Sequence, residues 1–188
     1  FTACNQTEQN HDFMKHDIPT TENVMMQAMD NSMMAMHQAK QTGNPDYDFA
    51  AMMIPHHEGA IVMAEAIVKS GKSQKLITFS KEVIMAQQKE IKMLKDFLKT
   101  ADQQPSKNAA EFKNALNTSM VPMMAGMEKV NLTNNLEDDF VALMIPHHQS
   151  AVDMAKAYLP YATHAKIKLL ATQIIQAQEE EIKWLKEI

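Results

Sequence analysis

The sequence predicts an all-α protein: a helical bundle of six main helices built from two repeated three-helix units, behind a poorly structured N-terminal arm. Three observations carry this expectation. The first half of the chain slides onto the second at an offset of 91 residues without a gap, from Glu22/Lys113 to Phe97/Ile188. Apolar residues recur at spacings near 3.6, the period of one helix face. Glycine is scarce, at four residues, and no alternating strand pattern occurs.

Residues 1–19 are polar, contain Pro19 and keep no sustained period, so they read as an arm or tether. The first repeat unit spans 20–100. Thr21 is placed to cap a helix running to about Gln41, and Gly43-Asn44-Pro45-Asp46 is a dense stop-and-turn signal. A second helix is expected from about Asp46 to Lys69, ended by Ser70-Gly71. Ser73 then caps a third, which carries Leu76, Phe79, Val83, Ile84, Ile91, Leu94 and Leu98 at helical spacing. Ala101 to Ser106 is the linker, where Pro105 prevents a continuous helix. The second unit, 106–188, repeats the plan with helices expected over about 106–130, 135–159 and 163–188.

A chain of 188 residues is long enough to bury a sizeable core. Its formal charge is -5, and every one of its 18 basic residues is lysine. Without arginine, the residue that most often reads phosphates and base edges, nucleic acid is excluded as a partner. The one cysteine, Cys4, leaves no intrachain disulfide framework and no thiolate cluster for zinc or iron-sulfur. Phe1-Thr2-Ala3-Cys4 resembles the end of a bacterial lipoprotein signal, which makes Cys4 a candidate lipid anchor. No apolar run reaches the roughly 20 residues that span a bilayer.

The segment DFAAMMIPHH (Asp48 to His57) recurs as DFVALMIPHH (Asp139 to His148), and each copy ends in two adjacent histidines behind a proline. That pattern reads as a duplicated metal site. In a helix Met52, His56 and Met63 share one face, while Met53 and His57 form a stripe about 100° round. The two histidines therefore serve two sites, or one is a ligand and the other its support. Unit two keeps Met144, His147, His148 and Met154 at the matching places but has Leu143 opposite Met52. Pro55 and Pro146 either bend the helix and free the carbonyls of Ala51 and Ala142, or begin a fresh helical segment at the histidines.

The first helix of each unit adds a methionine stripe: Met26, Met29, Met33 and Met36, then Met120, Met124 and Met127. Thioethers are soft and neutral at every pH, which suits Cu(I) or Ag(I) and suits hard cations poorly. Imidazole widens the choice to Cu(II), Zn(II) and Ni(II). For a single methionine, core filling is the simpler explanation. The adjacent pairs Met25-Met26, Met33-Met34, Met52-Met53 and Met123-Met124 resist it, because a narrow buried stripe cannot hold both members. His37 and His164 read as ordinary histidines, and His11, Met14 and His16 in the arm are accessory candidates for which a plain surface role is simpler. The charge runs of the third helices, including Glu90 and Glu179 to Glu181, read as solvated faces. No enzyme signature occurs: no Glu-x-x-His pair falls on the expected helices, and His57-Glu58 lacks the second histidine of a zinc protease helix.

At Met53-Ile54-Pro55-His56-His57 and Met144-Ile145-Pro146-His147-His148 the chain resembles the bacterial domain-of-unknown-function 305 family, and within it the CopM-type periplasmic copper-binding proteins. The resemblance runs from about Val24 to Ile188. It implies a ferritin-like bundle and Cu(I) binding, extending to Cu(II) and Ag(I), by the histidine pairs with Met63 and Met154, joined by the first-helix methionines. It further implies a non-enzymatic chaperone or sequestering role in copper resistance, a periplasmic location and a copper export or delivery protein as partner. The competing expectation is a structural or partner-docking bundle with an adaptable Met-rich surface.

Overall fold

The computed structural model describes residues 23–188, and all of its regular structure there is helical. The helices are α1 (Val24–Gln38), α2 (Pro45–Ser70), α3 (Gln74–Leu98), α4 (Ala109–Glu128), α5 (Leu136–Tyr158) and α6 (Ala165–Glu187), with a 3-10 turn at Leu159–Tyr161 after α5. The six-helix expectation holds. The arm, Cys4, His11, Met14, His16 and Thr21 lie outside the described residues.

Local chemistry sets the helix starts. Asn23 caps α1, its side chain accepting from the amides of Met25 and Met26, so the cap is not Thr21. The helix also ends at Gln38, short of the expected Gln41. Asn44 and Asn135 cap α2 and α5 in the same way. Ahead of them sit two matching turns, in which Asp48 accepts from the Thr42 amide and hydroxyl, and Asp139 from those of Thr133. Each turn holds one residue with positive φ, Gly43 (83°) and Asn134 (60°), the residue types that tolerate it best.

Helices α2 and α5 form the centre. α1 and α3 pack on α2, α4 and α6 pack on α5, and α2 meets α5 directly. The central pair is antiparallel, as two reciprocal contacts show. Asp46 at the start of α2 accepts from the amides of Thr163 and His164 at the start of α6. Glu137 at the start of α5 accepts from the amides of Lys72 and Ser73 at the start of α3. Since 46/137, 72/163 and 73/164 are repeat equivalents, each unit anchors the residues that lead into the other's third helix, across a pseudo-twofold axis.

Two apolar clusters flank that axis, and each draws on both units. The first joins Met36, Phe49, Met52 and Met53 to Phe112, Met120, Met154 and Tyr158. The second joins Met29, Met63 and Phe79 to Met123, Phe140, Leu143 and Met144. Met36, Met53, Met120 and Met154 in one cluster correspond, residue for residue, to Met127, Met144, Met29 and Met63 in or against the other. Because α2 is enclosed on several sides, Met52 and Met53 are both buried, which a single stripe would forbid. Each fully buried methionine stabilises the fold by about 1.5–3 kcal/mol relative to exposure.

Candidate metal centre

Both helices run unbroken through their prolines, so the histidines do not open a fresh segment. At Pro55 the Ser32 hydroxyl of α1 donates to the proline carbonyl at 3.0 Å. Gly59, one turn on, makes this approach feasible: a Cβ there would stand 2.6 Å from Ser32 Cβ.

All four histidines of the motifs are buried at the centre. His56 and His147 stack across the pseudo-twofold axis, with ring centroids 3.8 Å apart and planes inclined by 26°. His57 and His148 point away from that stack, towards α3 and α6, as the 100° stagger of adjacent helical residues requires. His57 Nε2 lies 2.6 Å from Glu90 Oε2 in an aligned hydrogen bond. His148 Nε2 lies 2.7 Å from Glu181 Oε2, but out of hydrogen-bonding alignment.

The partners assign the protons. Ser150 Oγ donates its single hydrogen to the His147 carbonyl at 3.1 Å. His56 Nε2, 2.7 Å from the same Oγ, must then be the donor. Nδ1 of His56 is thereby a lone-pair atom, and it has no protein partner. Nδ1 of His57, His147 and His148 likewise has no protein partner. A buried polar atom left unmatched costs about 1–3 kcal/mol, so four such nitrogens around one axis call for an explanation, and cation binding supplies one.

Electrostatics keep the central pair neutral. Burial, then repulsion from His147, His57 and His148, holds His56 well below the ordinary histidine value. His147 is lowered in the same way, by burial first and then by His148 and His57. Neutral imidazole is the form that ligates metal, so these lone pairs stay available in mild acid. The two histidines are not equivalent, however. Gly59 occupies the repeat position of Ser150, so His147 Nε2 meets no hydroxyl and both its nitrogens lack partners.

Met29, Met36, Met52, Met53, Met63, Met120, Met144 and Met154 are buried in the two apolar clusters. Met33 and Met127 are half-buried against them, and Met124 is exposed. Leu143 is as buried as Met52, so that position serves the core with or without a sulfur. Among the described residues no group of three or more His, Cys, Asp or Glu side chains could hold a metal ion. Any ion at the centre therefore needs thioether or water ligands in addition.

Glu90 and Glu181 correct the expectation of solvated faces. Each is largely covered and faces a buried histidine, because α3 and α6 turn this position inward. The repeat contained the signal, since the two glutamates are 91 residues apart like the histidines they meet. The rest of those runs behaves as expected, with exposed pairs such as Lys92–Asp96 and Lys156–Glu179. His164 packs its ring on Phe97, at 4.7 Å.

The family model described as "Domain of unknown function (DUF305)" matches residues 2–98 and 46–188. The structure titled "CopM in the Ag-bound form (by soaking)" is 30% identical, with a TM-score of 0.57, covering 76% of this chain and 92% of that one. "CopM in the Cu(II)-bound form" is 28% identical over 76% and 93%, with a TM-score of 0.58. A DUF305 fragment from Deinococcus radiodurans, 21% identical over 79% and 97% with a TM-score of 0.57, shares the fold. No curated protein matches. Matched along nearly its whole length, the chain belongs to the DUF305 family.

Proposed function

We propose that this protein binds copper, Cu(I) foremost and also Cu(II) and Ag(I), through thioether and imidazole groups on the inward faces of α1, α2, α4 and α5. The observation that carries the reading is the likeness to CopM, whose structures are titled as Ag-, Cu(I)- and Cu(II)-bound. The buried histidines support it: their Nδ1 atoms have no protein partner, and methionines from both units are buried on the same helices and on those packed against them. His56, His57, His147 and His148 would supply nitrogen, with Met29, Met36, Met53, Met63, Met120, Met144 and Met154 as the buried sulfur donors. Soft sulfur selects the monovalent ion, and neutral nitrogen admits the divalent one.

On this reading the protein is a non-enzymatic periplasmic chaperone or sequestering protein that acts in copper resistance. It would pass its ion to, or receive it from, an export or delivery protein. Cys4 would supply a lipid anchor. Titration of Cu(I) against a competing chelator tests the binding. Competition well above that of a methionine-poor helical bundle, weakened when His56 and His57 are both replaced by alanine, is the expected result. Equal competition by the two bundles overturns the reading.

A further inference from the structure

Helices α3 and α6 leave between them an open groove of about 720 Å³, floored by the stacked rings of Phe79 and Trp184 (centroids 4.6 Å apart) and flanked by Glu82, Glu180 and Glu181. Glu181 joins this groove to the buried centre. Its side chain is 24% exposed, while His148 behind it is 0% exposed. Their Oε2 and Nε2 atoms face each other at 2.7 Å, yet neither makes an aligned hydrogen bond.

The other half of the molecule provides an internal control. There the equivalent pair, His57 and Glu90, is satisfied by an aligned hydrogen bond at 2.6 Å. Around Glu90 the repeat places Gln173 where Glu82 stands and Lys89 where Glu180 stands, whereas the lysine is common to both, as Lys75 and Lys166. One histidine–glutamate pair is thus unsatisfied behind an acidic groove, and the other is satisfied with a neutral and a basic residue in place of the acids. Three glutamates against the single Lys75 leave the groove net negative, and a concave site of net negative charge concentrates cations and speeds their capture.

The geometry points to the α3/α6 groove as a binding site for a borderline divalent cation, with Glu181 and His148 as its protein ligands and Glu82 and Glu180 as the attracting charges. Carboxylate with imidazole is a hard-to-borderline donor pair that suits Cu(II) or Zn(II), in contrast to the thioether-rich interior. The groove supplies water for the rest of the coordination shell. This deepens the copper reading by naming where a divalent ion first binds, and by giving the two halves different affinities.

Zn(II), diamagnetic and indifferent to thioethers, is the probe, read by the ring signals of His57 and His148 in NMR spectra of the full chain. Substoichiometric Zn(II) is expected to shift His148 and leave His57 unmoved. Glu181→Gln should weaken the apparent affinity about tenfold or more. The exposed double variant Glu82→Gln/Glu180→Lys, which gives the groove the other half's residues, should weaken it several-fold while its spectrum stays folded. Simultaneous shifts of His57 and His148, or an affinity unchanged in both variants, overturn the inference. Ag(I) run in parallel separates the two proposals: methionine methyl shifts with Ag(I) and none at His148 with Zn(II) sink only this site, while Ag(I) without effect sinks the copper reading.

Discussion

His56 and His147, 91 residues apart in the chain, stack face to face at 3.8 Å in the middle of the bundle. Both are buried and neutral, and neither Nδ1 has a protein partner. Four consequences of the surrounding structure can be measured.

The metal-free protein should lose stability in mild acid. In the unfolded chain these histidines titrate near 6.5, and in the folded chain well below it. The unfolded state therefore binds more protons in the window just under 6.5, so stability is complete above that value and falls as the pH drops towards the depressed folded values. Thermal unfolding between pH 7.5 and 5.5 should show a falling Tm, with the His56 and His147 ring signals static through pH 6.5. A Tm that does not move would contradict the burial of two neutral imidazoles.

Asp46 should matter more than its repeat equivalent Glu137. The Asp46 carboxylate is buried and accepts from the Tyr158 and Thr163 hydroxyls as well as from two amides. Burial pushes its carboxyl up, but the combined hydrogen bonds outweigh burial and hold it below the ordinary 3.8. Its stabilisation is present at neutral pH and fades only as the pH falls below that value. Asp46→Ala is expected to cost about 3 kcal/mol and Glu137→Ala about 1 kcal/mol in urea unfolding. Equal losses would show that burial of Asp46 adds nothing.

Gly59→Ala should destabilise although alanine favours helix. The helical gain of about 1 kcal/mol is outweighed by a new Cβ 2.6 Å from Ser32 Cβ, an overpacking that costs about 1–3 kcal/mol. The substitution should be tolerated on a Ser32→Gly background and still be harmful on a Ser32→Ala background, since only glycine removes the clashing carbon. Rescue by both backgrounds would shift the cause from Cβ to the hydroxyl.

Glu90→Ala leaves His57 Nε2 buried without a partner and should lower stability by about 1–3 kcal/mol, whereas Glu58→Ala, on an exposed pair with Lys95, should change it by less than about 0.5 kcal/mol. Chemical denaturation of the two variants decides it. Two equal, small effects would return Glu90 to the solvated face.

Much of the molecule was legible from residue order. The duplicated segment placed six helices, and Asn44, Asn135 and Ser73 mark starts through side chains that cap their own helix. The start of α6 fell within two residues of the expected 163, but what holds it there was not legible, because the Thr163 and His164 amides are bound by Asp46, over a hundred residues away. Adjacent methionines implied some exposure, and Met34 and Met124, one from each of two such pairs, are indeed exposed. The burial of both Met52 and Met53 was not foreseen, because a helix inside a bundle has no single wet face.

The sequence by itself determined that the chain is two copies of a three-helix unit, that its histidines come in staggered pairs, and that its first helices are rich in methionine. Helical periodicity assigns each residue to a face of its own helix, and it contains no statement of what meets that face. Only the tertiary structure decided that α2 and α5 cross antiparallel about a pseudo-twofold axis, which stacks His56 on His147 and sends His57 to Glu90. That same packing left Glu181 and His148 unsatisfied behind an acidic groove, a difference between halves that small changes such as Lys89 for Glu180 make visible once the axis is known.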